Sequence, residues 1–144
     1  MLAALNRPEE ALASLEEPER AAVAYPTQTA YVELVRASVL KQPAVFQSGL
    51  ERILRLTFRD PEGFIYIAIM AIGMEQPAAA LTCLSRAVDL GFASFPHLDR
   101  EPAFEPLRGG AEFARLLGET ERRHHEAADT FTAAGGPAIL PETS

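Results

Sequence analysis

Prolines recur along this chain in two interleaved series with a spacing of 34 or 35 residues. One series is Pro8, Pro43 and Pro77, and the other is Pro26, Pro61 and Pro96. Proline suits the first turn of a helix, because its missing N–H has no partner there and its φ is already helical. The two series together predict pairs of helices repeated about every 34 residues. A repeat of this length is typical of a helical solenoid.

Apolar residues at helical spacing follow these prolines. Helices are predicted from Pro26 to about Leu40, from Pro61 to about Met74, and onward from Pro43 and Pro77. The helix that begins at Pro8 is expected to end early, because Pro18 follows it. An all-α chain is therefore expected.

Two further residues suit helix ends. Asp60 stands directly before Pro61, where an aspartate is a favourable N-cap. Gly91 follows Leu90 and is expected to terminate the helix that begins at Pro77.

The unit from Pro61 to about Ser94 places small and large apolar residues at fixed offsets. These are Phe64, Ala68, Ala80, Leu84 and Ala87. In this pattern the unit resembles a tetratricopeptide repeat. The resemblance implies a short right-handed solenoid, in which the alanines lie where two helices touch and the large residues fill the space beside them. The preceding unit departs from the pattern, since Phe46 stands in the place of Ala80 and Ile53 in that of Ala87.

The segment after Gly91 carries a second pattern. It consists of Glu101-Pro102, Leu107-Arg108, Phe113, Leu116 and Leu117. This resembles the terminal segment of repeat domains at the ends of bacterial regulators, among them serine/threonine kinases, adenylate cyclases and winged-helix transcription regulators. Gly109-Gly110 replaces the charged pair that is usual after the arginine. The resemblance implies a C-terminal position in a larger regulatory protein.

One domain, 1–134, is expected from this organisation, with a flexible tail at 135–144. Its units are predicted at about 1–24 (partial), 26–59 and 61–94, followed by a terminal segment at 95–134. In the terminal segment a helix from about Ala111 to about Ala133 has the composition of a capping helix, with an apolar first half and a polar second half. The chain begins with what reads as the second helix of a pair, so we expect earlier repeats to precede it in a longer protein.

The charge balance argues against a nucleic-acid or anionic-membrane partner. The chain has 13 basic and 20 acidic residues, for a net charge of −7, whereas such partners require clustered lysine and arginine. Cys83 is the single cysteine, so no intrachain disulfide can form, and a reducing, cytoplasmic location fits. It is expected on a buried helix face as a structural thiol, since a reactive thiol needs electropositive surroundings.

Residues with catalytic or metal-binding chemistry are sparse. The densest group is His124, His125, Glu126 and Asp129. His125 and Asp129 are four residues apart on one helix face and could hold a metal, but zinc sites use three or four ligands. A solvated, charged helix is the alternative interpretation. His97 is interpreted as a hydrogen-bonded loop histidine. No catalytic residue, no metal site and no cofactor is predicted, and the chain is not expected to be an enzyme.

A binding groove is predicted along the first helices of the pairs. Phe64 to Met74 is apolar on all sides and too short to span a bilayer, so something should cover it. The cover could be a partner, a second copy or the C-terminal part of the chain. One-turn spacings give the groove residues as Tyr31, Val35, Ser38, Ile65, Ile69 and Ile72. Simple core packing is the alternative role for these six.

The leading functional hypothesis is a non-catalytic protein–protein interaction module, the C-terminal sensor or docking part of a bacterial regulator. Its partner would be a protein or peptide that places an apolar or amphipathic segment in the groove. The second hypothesis is self-association, in which two apolar faces pair to form a homodimer. The third is a metal-binding or enzymatic helical protein that uses His124, His125 and Asp129.

Overall fold

Each proline of the two series lies in the first turn of a helix. The computed structural model describes residues 7–15 and 25–136, and within these ranges the regular elements are all helical. They are α1 (Pro8–Ala13), α2 (Pro26–Val39), α3 (Pro43–Arg55), α4 (Pro61–Gly73), α5 (Pro77–Asp89), α6 (Phe95–Arg100), the 3₁₀ helix η1 (Pro102–Leu107) and α7 (Ala111–Ala133). The all-α prediction is confirmed for this part of the chain. Most of the partial unit 1–24 and of the tail 135–144 lies outside the described residues.

The turns that join α2 to α3 and α4 to α5 have the same geometry. Each contains a residue with left-handed backbone, Lys41 at φ 53° and Glu75 at φ 58°. In each turn the N–H of the next glutamine donates to a carbonyl near the end of the preceding helix at 2.9 Å. This bond is one half of a Schellman motif. The repeat seen in the sequence is thus also a repeat in backbone conformation.

A third turn of this kind follows α5. Gly91 has φ 100°, directly after the C-cap Leu90, and the Phe92 N–H donates to the Ala87 carbonyl at 3.0 Å. The prediction that Gly91 terminates this helix is confirmed. Here the left-handed position is occupied by glycine, which adopts it without steric cost.

The Glu75→Gly variant is expected to be more stable than the wild type by about 0.5–1 kcal/mol. A side chain in the left-handed region costs about 1–2 kcal/mol, and the larger entropy loss of glycine on folding offsets roughly 0.5–1 kcal/mol of the gain. Urea denaturation followed by circular dichroism would measure the change. Glu51→Gly, in the middle of α3, is the control and should lose about 1 kcal/mol. A loss of stability in Glu75→Gly would show that the left-handed turn is not strained.

Each helix packs against helices that are one to three elements away in the chain. α2 contacts α3 and α4, α4 contacts α5 and η1, and α7 lies against α5 and α6. The repeat positions Phe64, Ala68, Ala80, Leu84 and Ala87 are all 0–1% exposed. A single core therefore runs from α2 through α7.

The α2–α3 pair is packed differently from the α4–α5 pair. Phe46, which stands in the place of Ala80, is completely buried. One turn further along α3, a Cβ added at Gly49 would lie only 3.1 Å from Leu34 Cδ2. The α2–α3 pair thus accommodates a phenylalanine at position 46, and its two helices come into close contact at Gly49.

Residues of the motif in the terminal segment make the contacts that hold α6, η1 and α7 together. The Glu101 side chain accepts a hydrogen bond from the Ala103 N–H at 3.1 Å and so caps η1. Arg108 donates to the Asp99 carbonyl, pairs with Glu105 at 2.9 Å, and places its guanidinium 6.0 Å from the Phe113 ring centroid. Arg108 therefore has a structural role, because it joins α6 and η1 to the start of α7.

The last helix has the predicted bounds. Phe113, Leu116 and Thr120 are buried in its first half, whereas 125–135 is exposed. The Arg123 guanidinium donates to the Val88 carbonyl and so ties α7 to the end of α5. Gly135, with φ 77°, follows the C-cap residue Ala134. In the described part of the chain, no helix combines the length and apolar character needed to cross a bilayer.

Candidate functional site

The six predicted groove residues lie on two neighbouring helices. Tyr31, Val35 and Ser38 are on α2, and Ile65, Ile69 and Ile72 are on α4, which packs against α2. Ile65 is buried, at 2% exposed, and the other five are half-buried. These positions therefore contribute both to the core and to the surface, and the groove stays a prediction.

The most accessible aromatic side chain on α4 is Tyr66. It is 53% exposed, on a helix that is otherwise apolar from Phe64 to Met74. One helical turn away on the same side, Glu62 is exposed and Ile69 is half-buried. Sequence reasoning missed Tyr66, although it is the one side chain in this segment with a polar hydroxyl group. Tyrosine is common at interfaces, where its ring is covered and its hydroxyl remains hydrated.

An aromatic cluster joins α2 to α4 beside Tyr66. The Phe58 ring centroid lies 5.7 Å from that of Tyr31 and 5.1 Å from that of Phe64. Burial raises the pKa of the Tyr31 hydroxyl, and the nearby Asp60 and Tyr66 raise it further. Asp60 occupies the N-cap position of α4 as predicted, but its side chain makes no capping hydrogen bond. Its carboxylate instead contributes negative electrostatic potential near Tyr31, at the N-terminal end of α4.

A pocket of about 170 Å³ opens on the other side of Tyr66. One wall comes from α4 and the other from the connector between α5 and α6 together with the start of α6. The lining residues are Glu62, Ile65, Tyr66, Phe92, Ser94 and His97. The rings of Phe92 and His97 meet edge to face, with centroids 6.0 Å apart. The pocket thus combines aromatic walls with one carboxylate.

A second cavity of about 400 Å³ lies between α3, α5 and the start of α7. It is lined by Leu54, Thr82, Ser85, Arg86, Asp89 and Glu112. Two acidic side chains and one basic side chain line it, so its charge is mixed with a small negative excess.

The histidines of α7 do not form a metal site in the described residues. His124 Nδ1 lies 3.2 Å from the Ala93 carbonyl oxygen, and His125 and Asp129 are exposed. Within residues 7–15 and 25–136, no three histidine, cysteine or acidic side chains come together to hold an ion. Nearby, Arg122 and Arg123 lower the pKa of Glu119 to about 2, which indicates a surface ion-pair network.

Cys83 lies in the core and is fully buried. Burial raises the pKa of its thiol to about 12. Because the thiolate is the nucleophilic form, this side chain is chemically inert in the folded state. The prediction of a buried thiol is confirmed.

Comparisons with known proteins give no relative from which a function could be transferred. No family model, curated protein or solved structure matches this chain. Functional inference therefore depends on the surface and pockets described above.

Proposed function

We propose that this chain is a non-catalytic protein-interaction module that binds an apolar or amphipathic segment of another protein across α2 and α4. The observation that carries the proposal is the 53% exposure of Tyr66 within the otherwise apolar stretch from Phe64 to Met74. Half-buried Ile69 and Ile72 continue this surface along α4, and Val35 continues it on α2. A partner segment would bury this apolar area, as in helix-in-groove recognition.

The repeat architecture supports the proposal. We infer that the pairs α2–α3 and α4–α5, followed by α6, η1 and α7, stack as a short right-handed solenoid of tetratricopeptide type. The shared turn geometry at Lys41 and Glu75 and the contact between α2 and α4 fit this arrangement. Solenoids of this kind offer extended surfaces for partners. The parent protein would be a cytoplasmic bacterial regulator, with this module as its C-terminal docking part.

Selection of peptides from a random display library on the immobilised chain tests the proposal. Selected sequences are expected to be rich in apolar residues and to bind the Tyr66→Ser variant about tenfold or more weakly, because aromatic side chains are frequent hot spots at interfaces. Ile69→Asp should abolish binding, since it places a charge in the centre of the apolar surface. Fluorescence anisotropy would measure both affinities.

Tyr66 is exposed, so its replacement by serine should leave the fold intact, which thermal melting would verify. Glu51→Gln, on an exposed position of α3, is the matched control and should bind like the wild type. Selected peptides that bind Tyr66→Ser and wild type equally would contradict the proposed surface, as would failure to select any peptide.

A further inference from the structure

The small pocket beside Tyr66 has the dimensions of a site for one side chain. Its volume of about 170 Å³ is below the roughly 300–1,000 Å³ of small-molecule sites. It is open beside the most exposed ring of α4, so a segment lying on that helix could insert a side chain into it. The pocket would then select one residue of the bound segment.

The lining of the pocket suits a planar cation. Tyr66 can present a ring face, and Phe92 and His97 provide a second aromatic wall. Cations, guanidinium most often, are attracted to aromatic faces. Glu62 lies four residues before Tyr66 on the same side of α4 and lines the same pocket, so its carboxylate can pair with the bound cation. A guanidinium can stack on a ring and bond a carboxylate in two positions at once.

The charges around the site favour the same ligand. Glu62 is the one charged carboxylate among the lining residues, and neither lysine nor arginine lines the pocket. The chain as a whole carries −7, which attracts a cationic segment over a longer range. The Glu62 carboxylate would repel an acidic side chain at this position.

We propose that the pocket formed by Glu62, Ile65, Tyr66, Phe92, Ser94 and His97 binds an arginine side chain of the partner segment. The inference rests on the proposed function for the source of the arginine, because the partner supplies it. The bound segment would be apolar along α4 and would carry one arginine near the N-terminal end of that helix. The pocket would set the position and direction of the segment in the groove.

The pocket can be tested without a partner by titrating the ¹⁵N-labelled chain with Nα-acetyl-arginine amide. We expect saturable chemical-shift changes in the amides of Glu62, Tyr66, Ser94 and His97. Nα-acetyl-norleucine amide, which has an apolar side chain without the cation, is the control and should leave these amides unchanged.

Two variants identify the contacts. Glu62→Gln keeps the size of the side chain and removes its charge, and it is expected to weaken binding about three- to tenfold. Tyr66→Ser should have a similar effect through loss of the ring. Glu51→Gln is again the matched control and should leave the affinity unchanged.

Absence of localised shifts, equal shifts with the norleucine compound, or equal affinity in Glu62→Gln would overturn the pocket assignment. None of these results would contradict the docking proposal, because the peptide selection does not require an arginine in the selected peptides. Conversely, arginine binding in the pocket together with failure to select any peptide would contradict the docking proposal and support the pocket.

Discussion

The Ala80→Asp variant is expected to be unfolded at room temperature. Ala80 is completely buried in α5, next to the completely buried Leu84 and facing the core between α4 and α5. An aspartate there would bury a carboxylate with no space and no partner, which costs more than about 4 kcal/mol. That cost is comparable to the total stability of a domain of this size. Ala87→Glu should have the same result, since Ala87 is also fully buried. Circular dichroism would show loss of the helical signal and of the cooperative thermal transition.

Ala78→Asp is the matched control, because it makes the same replacement on the same helix two residues earlier. Ala78 is exposed in the first turn of α5, where a negative charge interacts favourably with the helix dipole. This variant should melt within a few degrees of the wild type. If Ala80→Asp and Ala78→Asp proved equally stable, the packing of α4 on α5 would be wrong.

Phe46→Ala is expected to lose about 3–5 kcal/mol of stability, although it replaces an atypical residue with the alanine found at the equivalent position of the next unit. The repeat pattern alone predicts the opposite, that this change restores the pattern and stabilises the fold. In the structure Phe46 is completely buried between α2 and α3, so its removal leaves a cavity. Urea denaturation would measure the free energy of unfolding.

The neighbouring Val45 provides the control for this prediction. Its side chain is 52% exposed, so Val45→Ala should change stability by no more than about 0.5 kcal/mol. A Phe46→Ala variant as stable as the wild type would mean that α2 and α3 close around the smaller side chain, as α4 and α5 do around Ala80.

Much of the helical structure could be predicted because its signals are local. A proline at a helix start, or a glycine with left-handed backbone at Gly91, acts through its own φ angle, so its effect does not depend on distant residues. The start of α4 at Pro61 and the end of α5 before Gly91 follow from such signals. The 3₁₀ helix at Pro102–Leu107 is different, because it depends on the contacts that Arg108 makes with Asp99 and Phe113.

The candidate site was only partly accessible from the sequence. One-turn spacing selected Ile65, but its position is set by neighbouring elements, which bury it and leave Tyr66 exposed. The arginine pocket brings together Glu62 and Tyr66 with residues about 30 positions later in the chain, Phe92 and His97. No local sequence pattern predicts a contact of this kind, because it arises when the connector between α5 and α6 folds back onto α4.

The solution mass of the chain, measured by light scattering over a range of concentrations, tests whether the apolar surface on α2 and α4 is open to a different protein. We expect a monomer of 15.6 kDa. A mass of twice that value, returning to the monomer in Tyr66→Ser, would contradict it, because a second copy of the chain would then occupy the surface.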